Sequence, residues 1–153
     1  MKLLKGFSIS IVLTLLLIGC QDIKDCQLKD DTSQVVFALF DRDTTNQTES
    51  VQFSSILIEN LSLPILNFDT TLSVFGLPVN TTDTVTTFFF ESELGFDTLV
   101  ISYDFQYNVF FEECTPVQSF FDLRVMTHTF DSVSIVNDEL NNEIVRNVSV
   151  FLD

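Results

Sequence analysis

From Asp97 to Phe111 the chain alternates with a period of two. Leu99, Ile101, Tyr103, Phe105, Tyr107, Val109 and Phe111 are apolar or aromatic, whereas Thr98, Ser102, Asp104, Gln106 and Asn108 are polar. Successive side chains of a strand point to opposite faces, so the run predicts a long β-strand with one buried and one wet face. Val100 and Phe110 are the exceptions, both near the ends. A strand of this kind needs neighbours beside it and a second layer over its apolar face.

The rest of the chain supplies those partners. Val35–Phe40, Val51–Leu61, Thr71–Phe75 and Thr84–Glu91 are rich in β-branched and aromatic residues, and Pro64 breaks or edges whatever follows the second of them. Gly76 and Pro78 close the third, and Asn80–Asp83 reads as a turn. Later, Phe121, Leu123 and Val125 alternate with Asp122 and Arg124, and Asp131–Val136 and Glu143–Leu152 flank the turn-rich Asn137–Asn142. No stretch sustains helical spacing. The predicted fold is all-β: an antiparallel β-sandwich, immunoglobulin-like or Greek-key, of about seven or eight strands in a single domain over residues 34–153.

The start of the chain reads as an export signal. Lys2 and Lys5 precede an apolar run from Phe7 to Ile18. That run is shorter than the roughly 20 apolar residues a bilayer-spanning helix needs. Leu17-Ile18-Gly19-Cys20 resembles the bacterial lipobox. The resemblance implies cleavage after Gly19 and acylation of Cys20, with residues 1–19 as signal and residues 20–33 as a lipidated acidic tether. An ordinary cleaved signal is the alternative. Several acyl chains give stable anchoring where one is marginal.

Processing removes Lys2 and Lys5, which leaves five basic residues against 22 acidic ones, a net charge of about −17. A surface this acidic repels phosphate backbones and excludes nucleic acid as a partner. It also disfavours lying flat on anionic lipid, which leaves the acyl chains as the means of membrane attachment. High charge without apolar residues would signal disorder. Here 17 phenylalanines, of which only Phe7 lies in the signal, supply a core.

With Cys20 lipidated, Cys26 and Cys114 are left as a pair, bridged to each other or held as two free buried thiols. A bridge would close a loop of roughly 88 residues and stabilise by about 4–5 kcal/mol in the chain-entropy model. Metal binding is the weakest reading, since two Cys and the lone His128 fall short of four ligands. Asp41, Asp43 and Glu49 offer oxygen ligands for calcium, but without the spacing of a twelve-residue calcium loop. His128 alternates onto the face of Asp122 and Arg124, where an exposed strand histidine is the expectation. No Gly-x-Ser-x-Gly elbow presents a nucleophile. The pairs Glu91/Glu93 and Glu112/Glu113 read as solvated surface in so acidic a chain. Tyr103 and Tyr107 fall on the apolar face of the long strand and read as core, and the chain has no Trp for a sugar platform.

Asp followed by Ser or Thr and then an aliphatic residue or Thr resembles an O-glycosylation sequon of envelope proteins. It marks Thr44, Thr70, Thr84, Thr98 and Ser132. Asp-Thr before a strand is equally good turn chemistry.

The layout as a whole is similar to a family of short bacterial lipoproteins known only as domain-of-unknown-function family 6452. The resemblance is carried by Asp25-Cys26, by Val35-Val36-Phe37-Ala38-Leu39-Phe40-Asp41, by the Leu77–Thr84 element, and by Cys114 ahead of Phe120–Val125. Glu113 and Thr115 depart from the basic residue and glycine that flank this Cys in the family. The resemblance implies that Cys26 and Cys114 are the family's two extra cysteines, in support of a disulfide. It brings no activity, catalytic residue or cofactor.

The expectation is therefore a non-enzymatic lipoprotein of the cell envelope. It is held at the outer membrane by its lipid, on the periplasmic face or the cell surface, and binds or scaffolds other envelope proteins or glycans. A glycan- or calcium-binding accessory module is the alternative.

Overall fold

In a computed structural model of the chain, the described residues are 34–42, 47–59, 69–109, 116–140 and 145–152. They form nine strands and no helix: β1 (Gln34–Asp41), β2 (Val51–Ile58), β3 (Thr70–Leu72), β4 (Val74–Pro78), β5 (Val85–Ser92), β6 (Gly95–Asn108), β7 (Val117–His128), β8 (Ser132–Ile135) and β9 (Val148–Leu152). Two sheets result, one in the order β4-β1-β9-β8 and the other β3-β2-β5-β6-β7. The protein is an all-β sandwich, as the alternation predicts.

Phenylalanines fill the space between the sheets. Phe37 of β1 is fully buried and meets Phe88 and Phe90 of β5 edge-on, with ring centroids 5.4 and 6.0 Å apart. Phe53 of β2 and Phe75 of β4 extend the cluster, and Phe130 closes it over Phe90 at 5.4 Å. Edge-to-face pairs of this kind add about 0.5–1.5 kcal/mol each beyond the area they bury.

The predicted Thr71–Phe75 strand is in fact two. β3 pairs with β2, then the chain bends at Ser73 and β4 pairs with β1 in the other sheet. The Ser73 carbonyl accepts the Leu39 amide at 2.9 Å, so the bend is anchored to β1. This switch raises the strand number to nine. The antiparallel expectation also needs one correction, because β1 and β9 run parallel (Phe37 opposite Val148) while the other six pairings are antiparallel.

The long alternating strand is β6, which begins at Gly95 and ends at Asn108, short of the predicted Phe111. Leu99, Ile101 and Tyr103 are buried as expected, but Tyr107 is 65% and Val109 58% exposed. At about 3.4 Å per residue β6 is roughly 45 Å long. No strand of the facing sheet exceeds 8 residues. The last turns of the alternation therefore overhang the core.

Strand β7 departs from simple alternation for a different reason. Its register against β6 shifts between Val100 and Ile101 and again between Ser102 and Asp104, each shift placing one extra β7 residue in the ladder. Asp122 takes φ 58° at the second bulge, a left-handed conformation that Asp tolerates better than most residues. Phe120 and Leu123 are consequently the buried residues, and Phe121 moves to the outer side opposite Asp104. The other bulge carries His128 to a position opposite buried Leu99, off the face of Asp122 and Arg124 where alternation placed it.

The registers give the sandwich two poles. Strands β1, β5, β7 and β9 begin, and β2, β4, β6 and β8 end, at the pole where Gln34 enters. At the far pole Glu93-Leu94 turns β5 into β6, and Gly95 adopts φ 143°, which side chains rarely accept. Nothing lies within 4 Å of a Cβ built there. Gly95→Ala is therefore expected to destabilise through backbone strain alone, by about 1–3 kcal/mol. Urea denaturation measures this, and an unchanged midpoint would contradict it.

Candidate functional site

The most ordered polar constellation lies at the entry pole, on the segment Leu77–Thr84 between β4 and β5. Pro78 ends β4, and Val79 is buried beneath the turn. The Asn80 side-chain oxygen accepts both the amide (3.0 Å) and the hydroxyl (2.8 Å) of Thr82, and Asp83 accepts the Thr84 amide at 2.7 Å. These are local side-chain-to-backbone bonds that Asn and Asp make readily in turns.

Tyr103 of β6 fastens that turn to the core. Its hydroxyl donates to the Asn80 carbonyl at 2.7 Å and lies 2.6 Å from the buried Thr86 hydroxyl. Thr86 in turn accepts the Asn80 amide at 2.8 Å. Burial pushes the Tyr103 phenol above its ordinary value of 10.0, and its hydrogen bonding with Thr86 and Asn80 offsets only part of that rise. Gln118 of β7 donates to the Thr81 carbonyl at 3.0 Å and holds the outer side of the same loop. Beside the turn is a cleft of about 280 Å³ lined by Ile58, Glu59, Val79, Asn80, Thr81 and Thr82, among others.

A second buried polar residue, Asn147, joins β1 to the chain ahead of β9. Its side chain accepts the Val36 amide at 2.9 Å and donates to the carbonyls of Glu139 (2.8 Å) and Asn137 (3.2 Å). Every polar side-chain atom that is buried among the described residues has a partner. Neither network leaves a free group aimed at a ligand.

The residues singled out by sequence are dispersed. Thr70 opens β3 and is half-buried, Thr84 is exposed just ahead of β5, Thr98 lies on the outer face of β6, and Ser132 is exposed at the start of β8. Ser132 lines a far-pole cleft of about 240 Å³ with Arg42, Asp131 and Phe151. The Asp97 carboxylate accepts the Thr129 hydroxyl at 2.7 Å, which accepts the Thr98 amide at 2.9 Å. Asp83 and Asp97 thus fasten loops and strand ends, the turn chemistry expected of them.

His128 is half-buried, with Nδ1 2.8 Å from the Phe130 carbonyl. Asp41 ends β1 and Glu49 is exposed. Among the described residues no three His, Cys, Asp or Glu gather as a metal site requires. Glu91 and Glu93 are exposed near the far-pole turn. Cys20, Cys26, Cys114, Thr44, Asp43 and the pair Glu112/Glu113 lie outside the described residues, as do the signal and the tether.

Sequence reasoning missed Thr86 and Asn147, which are buried polar residues inside or beside apolar strands. The available signal was their place on core-facing positions: Thr86 shares the inward parity of Phe88 and Phe90.

Comparison with known proteins adds one match. The model of a family of unknown function (DUF6452) matches residues 50–152, a span that holds Leu77–Thr84, Tyr103, Thr86 and Asn147. No curated protein and no solved structure matches the chain.

Tyr103→Phe removes the hydroxyl shared by Asn80 and Thr86 and should cost about 1–3 kcal/mol in urea denaturation. The pH dependence has a definite sign. Below pH 10.0 the phenol is neutral in both folded and unfolded chains. Above it the unfolded chain ionises first, so stability is lost as pH rises towards the raised folded value. Wild type should lose stability more steeply than Tyr103→Phe above pH 10, and parallel curves would contradict this.

Proposed function

This chain belongs to DUF6452, a family of unknown function, and from that premise we propose that it is a lipid-anchored envelope lipoprotein whose sandwich is a non-enzymatic binding or scaffolding module. The observation that carries the reading is Leu17-Ile18-Gly19-Cys20 directly behind a short apolar run. The body supports it. Its buried polar groups are spent on holding loops to strands, and among the described residues His128 meets only a backbone carbonyl. A lipoprotein of this kind acts by position and surface rather than by chemistry.

Lipid at Cys20 sets the end of the body to which the tether is joined. The chain enters the sandwich at Gln34, at the pole that carries Leu77–Thr84, and the Glu93-Leu94 turn lies at the opposite pole. We extend the proposal to a Cys26–Cys114 disulfide in the oxidising compartment that lipoproteins reach. Cys26 precedes Gln34 by eight positions, and Cys114 falls in the connection from Asn108 to Val117, which opens at the same pole. Eight residues reach at most about 28 Å. That exceeds the few strands, each about 4.8 Å apart, and the inter-sheet gap of about 10 Å that separate the two openings. Thr84 and Ser132 are exposed enough to carry O-linked glycan, and Thr44, Thr70 and Thr98 complete that set.

Intact mass spectrometry of the native protein tests these assignments together. The expected product lacks residues 1–19, carries acyl chains on Cys20 and is short by two hydrogens for one disulfide. Cys20→Ser should move the protein from the membrane pellet to the soluble fraction. Retention of that variant in the pellet would overturn the anchor.

A further inference from the structure

The outward face of the five-stranded sheet carries an apolar stripe that the core does not use. Leu57 of β2 lies directly opposite Phe89 of β5, and the Phe89 ring stacks on Phe96 of β6 with centroids 6.1 Å apart and planes 22° from parallel. Phe96 is 63% exposed, Leu94 in the adjoining turn 55%, and Leu57 38%. Soluble proteins scatter single apolar residues over their surfaces, but a stacked aromatic pair continuous with an exposed Leu is a patch.

Charge on this face points to the partner. Glu91 sits opposite Phe96 in register, Glu93 is in the turn beside Leu94, and exposed Glu59 follows directly on the end of β2, two residues beyond Leu57, with its amide bonded to the Thr87 carbonyl. Asp104 and Asp122 lie further along the sheet. Its only Lys or Arg among the described residues is Arg124, which is paired with Asp122. A second copy of this chain, or an anionic lipid surface, would bring negative charge against negative charge at the rim. A partner with cationic groups around an apolar centre meets neither penalty.

We propose that the Leu57–Phe89–Phe96 stripe is a docking surface for a protein segment whose apolar centre is rimmed by lysine or arginine. The inference rests on the binding-module reading and names the partner's chemistry. Phe96 fills the apolar centre of the contact, and Glu59, Glu91 and Glu93 select the basic rim. The stripe reaches the far pole at Phe96, so the lipid-bearing end leaves that end of it open to a partner held elsewhere in the envelope.

The test uses the full acylated chain in phosphatidylcholine nanodiscs, with empty discs as reference. The probe is a labelled peptide of alternating leucine and lysine, followed by fluorescence anisotropy. Wild type should bind it at least tenfold more tightly than a Leu94→Ser/Phe96→Ser variant. Glu59→Gln/Glu91→Gln should weaken binding and flatten its salt dependence. A peptide with glutamate in place of lysine should not bind. Both serine substitutions are at exposed positions, and an unchanged melting temperature checks that the fold is intact. Equal binding by wild type and the serine variant would overturn the proposal, as would no saturable binding by wild type. A wild-type dimer in sedimentation that Phe96→Ser separates would overturn it in favour of a second copy as the occupant. Failure of the anchor reading shows in cell fractionation, and the same titration is then run on the full chain free in buffer, where the same outcomes decide.

Discussion

The sandwich depends on the packing of Phe37 against Phe88 and Phe90, the contact through which one sheet is fixed to the other. Backbone ladders hold strands within a sheet but say nothing about which sheet lies over which. That choice is made by large side chains that fill the space between layers. Phe53, Phe75 and Phe130 ring the same cluster, and Tyr103 and Phe120, neighbours within the five-stranded sheet, add an edge-on pair towards the entry pole at 5.6 Å. A chain this acidic keeps its charge on the rim because the interior is built almost wholly from aromatic and branched side chains.

Around that interior, a few polar residues do the work that glycine-rich turns do in other folds. Only Gly76 and Gly95 lie beyond Gly19. Asn80, Asp83 and Asn147 instead bond to backbone groups, and Tyr103 ties one such turn to the core. The edges of the sheets are protected by related means. β3 and β8 are short, β4 carries Pro78, and β7 is twice bulged, so among the described residues no edge strand is both long and regular. Association through a side-chain face rather than by strand addition is what this leaves open.

The parts of the fold legible in the sequence were those with local periodicity. Leu99, Ile101 and Tyr103 announce a buried strand face by alternation alone, and the structure places them in the core. What alternation cannot register is a change of parity. The bulges of β7 sit inside a run that alternates well on paper, so Phe121 and His128 were assigned to the wrong faces. The sheet switch at Ser73 is equally silent, because a change of pairing partner between β3 and β4 leaves no mark in local alternation. Tyr107 was misread because burial depends on the length of the opposite sheet. The Leu77–Thr84 element was visible as a motif, but its fastening was not, since Tyr103 lies 23 residues from Asn80.

The claim that one aromatic cluster unites both sheets is tested most directly by amide hydrogen exchange on Phe37→Ala, a truncation that should cost about 3–5 kcal/mol. Protection of β5 and β6 in one sheet and of β1 and β9 in the other should fall together by the same factor. Loss confined to the four-stranded sheet, with the five-stranded sheet as protected as in wild type, would contradict the account.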